Sequence, residues 1–322
     1  MQHFSRRRLL GVGATLCAGG WLGAPALQAA EPPLRVWRYK GLAASFLDLA
    51  GQDQTPYPVQ WVDTAGGNIV LEALRSGDLD YAYMSEIPPV FAQAAGSPLA
   101  LIASFEGDAN DTAVVVKRQS AIHQVADLKG KSISYVRATN NHFFLLDLLQ
   151  KNSLTLQDIT PVPMPMQDAL TAFRSGHIDA VVVGGISALQ AESGMEGRLL
   201  PDTRRYGSSN YLIATTAQAL DDAGRRARIG DFLLRERATW DWVQQHPQAW
   251  AARSQALTGI DQALYLQQAE RRSRPGRLVA FNDTAVNTQQ QVADTFFNSG
   301  LLPRPVDVRP LWRNDFSSLL NG

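Results

Sequence analysis

The stretch Arg75-Ser76-Gly77-Asp78-Leu79-Asp80 returns 99 residues later as Arg174-Ser175-Gly176-His177-Ile178-Asp179. Each copy ends an amphipathic helix, places a Gly just past its C-terminus and continues into a short apolar run. An apolar run of this kind fits a strand that is buried on both faces of a parallel sheet. A loop that opens another helix follows each run. The sequence therefore contains one helix–strand–helix unit twice, which predicts two similar α/β lobes.

The loops after the two repeated strands are the first place to expect a ligand. They read Ser85-Glu86-Ile87 in the first copy and Gly184-Gly185-Ile186 in the second. In open α/β sheets, ligands bind outside the carboxyl ends of the strands. We therefore expect the two loops to face each other across a cleft between the lobes.

The first 30 residues are typical of an export signal. Ser5-Arg6-Arg7-Arg8-Leu9-Leu10 is a positive segment of the twin-arginine type, and Ala29 and Ala30 supply small residues for cleavage after a Gly- and Ala-rich stretch. Glycines and a proline in that stretch disfavour a retained membrane anchor. A lipoprotein site requires a small residue before the Cys, and Leu16 precedes Cys17. The sequence therefore predicts an unlipidated periplasmic protein exported by the twin-arginine route.

Composition excludes several classes of protein. Without residues 1–30 the chain has 292 residues, 27 of them basic and 30 acidic, which gives a net charge of −3. Nucleic-acid binding would require a basic surplus or a basic stripe, so nothing favours it. The only Cys lies in the leader, so the mature chain has no disulfide and no thiol nucleophile. No later stretch is long and apolar enough to span a membrane.

The chain lacks the common catalytic and cofactor motifs. It contains no Gly-x-Ser-x-Gly, no His-Glu-x-x-His, no phosphate-loop motif and no dinucleotide fingerprint after the first strand. His123, His142, His177 and His246 are scattered without the spacing of metal ligands. We therefore predict neither a cofactor nor a metal site.

Polar or Gly-rich loops at predicted strand ends, each opening a helix, form the candidate ligand site. The free N–H groups of a first helical turn attract anions, as does the helix dipole, and Lys40 and Arg137 add positive charge. Thr139 and Asn140 could instead only cap their helix. Glu86 could cap a helix, pair with Lys40 or Arg137, or bind an amine of the ligand. The candidate ligand-binding residues are Lys40, Gly67, Asn68, Ser85, Glu86, Arg137, Thr139, Asn140, His142, Gly184, Gly185 and Asn210.

Helical periodicity dominates the C-terminal third. It predicts helices over residues 223–245, 247–257, 261–271 and 287–299, whereas strands and helices alternate before residue 215. Trp240, Trp242 and Trp250 fall on these helices and are predicted to lie in cores. We expect the helices to pack onto the first lobe.

Two segments resemble the periplasmic solute-binding proteins of ABC importers for aliphatic sulfonates, taurine and nitrate. They are Pro88-Pro89-Val90-Phe91-Ala92-Gln93-Ala94-Ala95-Gly96 and Ala126-Asp127-Leu128-Lys129-Gly130-Lys131, and the resemblance extends over essentially the whole chain after the leader. It implies an α/β, two-lobed type II binding-protein fold. Each lobe would be a doubly wound, mostly parallel sheet, with crossover strands near 112–116 and 211–215 as the hinge. Lobe 1 is predicted at residues 31–114 and 214–322, and lobe 2 at 115–213.

Departures from the family pattern concern the ligand. Lys40 stands where the family has a Lys, but Tyr39 replaces the usual Gln before it. Gly184-Gly185-Ile186 stands where the family has Trp-Asp-Pro. The loss of a Trp and an Asp predicts a roomier and less charged pocket. A larger or aromatic sulfonate, a sulfate ester or a non-sulfur solute would fit it.

These observations predict a monomeric periplasmic protein that captures a small organic anion by closure of its lobes and delivers it to an inner-membrane permease. A sulfonate, taurine or a sulfate ester is the expected solute. An enzyme of the same fold, such as a desulfinase, is an alternative, although the enzymes that resemble this family depend on a Cys absent from the mature chain. A ligand-sensing signalling protein is a further alternative.

Overall fold

A computed structural model describes residues 32–64, 68–108, 112–201, 206–208 and 210–321 of the chain. The predicted leader and Gly67 lie outside the described residues, as does the side chain of Asn68. Within the described ranges, no helix combines the length and the apolar character that a membrane crossing needs.

Strands and helices are interspersed as far as β10, and helices then predominate. The strands are β1 (Leu34–Arg38), β2 (Val59–Asp63), β3 (Ala82–Ser85), β4 (Leu99–Glu106), β5 (Thr112–Lys117), β6 (Ser132–Tyr135), β7 (Thr160–Pro163), β8 (Ala180–Gly184), β9 (Gly197–Leu199), β10 (Tyr211–Thr216) and β11 (Arg277–Ala280). The helices are α1 (Asn68–Ser76), α2 (Ile87–Ala94), α3 (Asn140–Lys151), α4 (Met166–Arg174), α5 (Gly185–Gly194), α6 (Ala217–Asp221), α7 (Ala223–Gln245), α8 (Pro247–Thr258), α9 (Gln262–Arg271), α10 (Asp283–Asn298) and α11 (Ser317–Asn321).

The described strands form two main sheets. One has the order β11-β4-β10-β3 and the other β7-β6-β8-β5-β9. Strands β1 and β2 pair in parallel, and a parallel bridge between Val36 and Tyr81 connects them to the first sheet. We call the part built on β1, β2 and the four-stranded sheet the first lobe, and the part built on the five-stranded sheet the second lobe.

The chain passes from the first lobe to the second between β4 and β5 and returns between β9 and β10. Strand β10 runs antiparallel to β3 and β4, and β5 runs antiparallel to β8 and β9. The two-lobed fold with two crossover strands is thus confirmed. All pairings within the four-stranded sheet are antiparallel, and the parallel pair β1–β2 lies beside it. The five-stranded sheet is mixed, because β5 opposes β8 and β9 while β6 pairs in parallel with β7 and β8.

The repeated sequence adopts a repeated structure. The first copy runs through α1, β3 and α2, and the second through α4, β8 and α5. Residues 181–183 of β8 and residues 114–116 of β5 are fully buried valines, because helices cover both faces of the sheet. The repeat therefore sets a helix–strand–helix unit at the same place in each lobe.

Some elements differ from the sequence prediction. Between β1 and β2 the structure has only a 3-10 turn, Ala43–Ser45, where an alternation of strands and helices predicts a helix. Helix α10 begins four residues before the predicted start because the side chain of Asn282 accepts the Ala285 N–H at 2.8 Å and caps it. Strands β9 and β11 were not predicted, since each is short and depends on pairing at a sheet edge with β5 or β4.

Candidate functional site

A cavity of about 630 Å³ lies between the two lobes. Both lobes supply side chains to it, and Gly107 and Asp108 of the segment that crosses between the lobes also line it. A volume of this size suits a small organic molecule. The cavity is therefore the candidate ligand site.

The second lobe lines the cavity with two helix N-termini. Asn140 is the first residue of α3, and Gly184 is the N-cap of α5. Gly185 has φ of 52°, a left-handed conformation that favours Gly over the Asp of the family pattern. Partial positive charge at a helix N-terminus favours an anion nearby. The Oδ1 atom of Asn140 is buried and has no hydrogen-bond partner in the described structure.

The first lobe lines the cavity with aromatic rings. Tyr83 of β3 stacks on Tyr211 of β10, with ring centroids 5.0 Å apart, because the two strands are paired neighbours. Phe105 lies 6.1 Å from Tyr83 and 5.0 Å from Trp240 of α7. These four rings form a continuous row, which we call the aromatic wall.

A second aromatic group lies beside the aromatic wall. Trp250 of α8 and Tyr265 of α9 meet edge to face at 5.5 Å and line the same cavity. The guanidinium of Arg272 lies 5.4 Å from the centre of the Trp250 ring. A cation over an aromatic face is held there by the ring quadrupole.

The charged side chains that line the cavity in the described structure are Lys40, Arg272 and Asp108. The Asp108 carboxylate accepts hydrogen bonds from the backbone N–H and the hydroxyl of Ser273, at 2.5 and 2.9 Å. No salt bridge involves Lys40 or Arg272 in the described part of the chain. The cavity therefore has two cations against one hydrogen-bonded carboxylate, a balance that suits an anionic ligand.

The predicted site residues divide into two groups. Lys40, Asn140, Gly184 and Gly185 line the cavity. A second group is absent from its described lining, and a role for these residues in ligand binding stays a prediction. That group is Ser85, Glu86, Arg137, Thr139, His142 and Asn210. Gly67 and the Asn68 side chain lie outside the described residues.

Glu86 is fully buried. Its carboxylate accepts a hydrogen bond from the Ser208 hydroxyl, and Gln289 Nε2 donates to its backbone carbonyl at 3.3 Å. The side chain makes no capping bond to α2 and, in the described structure, no salt bridge to Lys40 or Arg137. Burial raises the pKa of Glu86 to about 7, against hydrogen bonds from Ser208 and Asn210 that lower it. Helix capping and pairing with a cation are thus absent from this conformation.

Two further predicted site residues, Thr139 and His142, lie at the start of α3. Thr139 is the N-cap of α3, yet its hydroxyl donates to the Val136 carbonyl at 2.7 Å and caps no N–H. His142 is buried between Tyr135 and Phe296, and its Nδ1 accepts the Ala138 N–H at 3.3 Å. Burial, and then the charge of Arg137, lower the pKa of His142 to about 4. His142 is therefore neutral at pH 7 and packs as an aromatic ring.

Sequence reasoning missed the aromatic rings and Arg272. Trp240 and Trp250 were predicted in cores, and they do pack in one, but both also line the cavity. Tyr83 and Tyr211 are 128 residues apart in the chain and meet only through strand pairing. No local pattern distinguishes such a ring from an ordinary core aromatic.

Helix α5 of the second lobe contacts the C-terminal helices of the first lobe. Ile186 of α5 packs against the cluster that contains Trp250 and Tyr265. Arg271 of α9 donates a hydrogen bond to the Glu192 carboxylate of α5 and forms an ion pair with it. The described conformation is therefore one in which α5 and α9 are in contact.

Comparison with known sequences identifies the family. The sequence profile of the NMT1/THI5-like family matches residues 58–250, which is more than half of the chain. The chain belongs to the NMT1/THI5-like family. An Escherichia coli (strain K12) protein named for aliphatic sulfonate binding is 29% identical to this NMT1/THI5-like protein over 299 residues, covering 90% of this chain and 92% of its own length.

Solved structures show the same fold. The alkanesulfonate-binding protein SsuA from Xanthomonas axonopodis pv. citri, bound to MOPS, has a TM-score of 0.77 and 27% identity, covering 88% of this chain and 99% of its own. The desulfurization enzyme DSZB has a TM-score of 0.62 and 14% identity, covering 90% of this chain and 99% of its own. The periplasmic binding protein fold is thus shared by binding proteins and by an enzyme.

Proposed function

We propose that this NMT1/THI5-like protein is the solute-binding component of an ABC importer and captures a small organic anion, with a sulfonate as the leading candidate. The observation that carries the proposal is the cavity between the lobes, which two helix N-termini and two cations line. Similarity to an alkanesulfonate-binding protein along nearly all of the chain supports the same function.

Capture would use movement between the lobes. The chain crosses between them at two places, and the predicted hinge strands near residues 112–116 and 211–215 follow these crossings. An anion held by Asn140 and α5 on one side and Arg272 on the other would favour the closed state. A ligand shifts such an equilibrium by its differential affinity for the two states. Delivery to a permease, export to the periplasm by the leader and action as a monomer belong to the same proposal.

Titration calorimetry against a panel of anions tests the binding function. Methanesulfonate, taurine, hexanesulfonate, benzenesulfonate and phenyl sulfate are compared with acetate and with uncharged methyl sulfone. The proposal expects at least one sulfonate or sulfate ester to bind and the neutral sulfone not to bind. If none of these anions binds or raises the melting temperature, the proposed function is wrong.

Prolonged incubation of the protein with the anions that it binds separates binding from catalysis. Relatives named above include sulfonate-binding proteins, and the chain's single Cys lies in the predicted leader. We therefore expect the bound solute to be recovered unchanged, with no sulfite or sulfate released after prolonged incubation. Release of sulfite or sulfate in proportion to protein would show an enzyme instead.

A further inference from the structure

We propose that the preferred solute carries an aromatic ring next to its anionic group, as an arylsulfonate does. The inference rests on the proposed function and adds the class of solute. It comes from the arrangement of rings and charges in the cavity, where an aromatic wall on the first lobe lies opposite the polar helix ends of the second.

The aromatic wall offers ring faces in a fixed arrangement. Tyr211, Tyr83, Phe105 and Trp240 follow one another with centroid separations of 5.0, 6.1 and 5.0 Å. Strand pairing fixes Tyr83 and Tyr211, and Gly276 leaves room for the Phe105 ring, since a methyl group at this position would overlap it. Rings held this way can accept a further ring in offset-stacked or edge-to-face contact.

The charge in the cavity lies at the side of these rings. Arg272 is close enough for its positive charge to lower the pKa of Tyr83, although burial is the larger influence and raises it overall. Its guanidinium also contacts the Trp250 ring. An anion on Arg272 would therefore place its substituent beside aromatic faces, and a planar guanidinium forms paired hydrogen bonds with oxyanions.

The opposite wall has a different character. Asn140, Asn141, Gly184, Gly185 and Gln190 give it amides and backbone N–H groups rather than rings. A flexible alkyl chain would gain only burial against the aromatic wall, whereas a ring gains burial and stacking without losing chain rotations. The cavity therefore favours a compact, planar anion over a linear one of equal size.

Two matched ligands test the ring directly. Benzenesulfonate and cyclohexanesulfonate share the charged group and the six-membered ring, but only the first is aromatic. We expect benzenesulfonate to bind with a Kd about three- to tenfold lower by titration calorimetry, the range that ring–ring contacts supply. Equal or tighter binding of cyclohexanesulfonate would overturn the aromatic preference and leave the proposed function intact. If neither ligand nor any other sulfonate binds, both proposals are wrong.

Variants of helix α7 test whether the aromatic wall causes the preference for benzenesulfonate. Trp240→Leu keeps an apolar side chain but removes a ring of the aromatic wall, so the ratio of the two Kd values should approach one. Trp242→Leu is the matched control, because Trp242 stacks on His246 and is absent from the described cavity lining. It should leave the ratio unchanged. Circular dichroism checks folding, and Phe105→Leu provides a second removal of a ring should Trp240→Leu fail to fold. An unchanged ratio in a folded aromatic-wall variant would contradict the proposal.

Discussion

Asp80 and Asp179 make the same hydrogen bond in the two lobes. The Asp80 carboxylate accepts the backbone N–H of Arg35 at 2.9 Å, and the Asp179 carboxylate accepts that of Ser132 at 2.8 Å. The backbone N–H of each Asp also donates to the carbonyl of the same partner, at 2.9 and 3.0 Å. The Asp that ends the sequence repeat therefore ties each repeated strand to the start of a neighbouring strand.

The surroundings of the two carboxylates predict different costs of replacement. Asp80 is 1% exposed and also pairs with the guanidinium groups of Arg35 and Arg225, whereas Asp179 is exposed and bonds the Ser132 hydroxyl. Asp80→Asn should lower the free energy of unfolding by about 3 kcal/mol because it leaves two arginines unpaired. Asp179→Asn should cost about 1 kcal/mol or less. Urea denaturation measures both, and equal losses would contradict the prediction.

The ion pair between Glu192 and Arg271 predicts an effect on ligand affinity. Since it joins α5 of the second lobe to α9 of the first, Glu192→Gln should weaken the closed state and raise the Kd of any captured anion about two- to fivefold. Glu72→Gln removes an Arg–Glu pair within α1 and should leave the Kd unchanged. Titration calorimetry at low and high salt compares them. If neither substitution changes the Kd, the Glu192–Arg271 pair has no part in closure.

The buried carboxyl of Glu86 predicts how stability depends on pH. Burial raises its pKa from 4.5 to about 7, so folding favours the protonated acid. Its contribution to the free energy of unfolding is complete below pH 4.5, declines as the pH rises to 7 and stays low above that. The total loss across this range is at most about 3 kcal/mol. Glu86→Gln supplies a permanently neutral side chain. It should therefore stabilise the protein at pH 8 and have little effect at pH 5.

Thermal unfolding of wild type and variant at the two pH values measures this difference. Glu236 is also buried, with its pKa raised to about 7, and its carboxylate accepts a hydrogen bond from the Tyr81 hydroxyl. Glu236 contributes to both proteins and cancels in the comparison. The exposed Glu72→Gln is the control and should show no such pH-dependent change. A Glu86→Gln protein that is less stable than wild type at pH 8 would show that the charged form is favoured.

The close contact of Gly276 with Phe105 predicts a change in the cavity. A methyl group at Gly276 would overlap the end of the Phe105 ring, so Gly276→Ala should displace that ring. We expect a loss of about 1–3 kcal/mol in unfolding free energy and an altered Kd for benzenesulfonate. Gly194→Ala, where nothing lies within 4 Å of the added methyl, is the control. Unchanged binding by the Gly276 variant would mean that Phe105 does not contact the ligand.

Local sequence patterns indicated those residues of the cavity lining that lie at the ends of strands and helices. Lys40, Asn140, Gly184 and Gly185 lie where a strand ends or a helix begins, and both features leave a readable signature in the sequence. The prediction for Glu86 shows the limit of this reasoning. It also follows a strand, but it is absent from the described cavity lining, and its hydrogen-bond partners Ser208 and Gln289 are more than 120 residues away in the chain.

The sequence by itself determined the two lobes and their repeated helix–strand–helix unit, because periodicity and repeated helix and strand ends are properties of short segments. The family came from the resemblance of two short segments to known binding proteins. Only the tertiary structure decided which side chains line the cavity between the lobes. Antiparallel pairing brings Tyr211 beside Tyr83, and the C-terminal helices carry Trp240 and Arg272 to the same cavity. Such contacts join residues far apart in the chain, and they arise only when burial of apolar surface has fixed how sheets and helices pack.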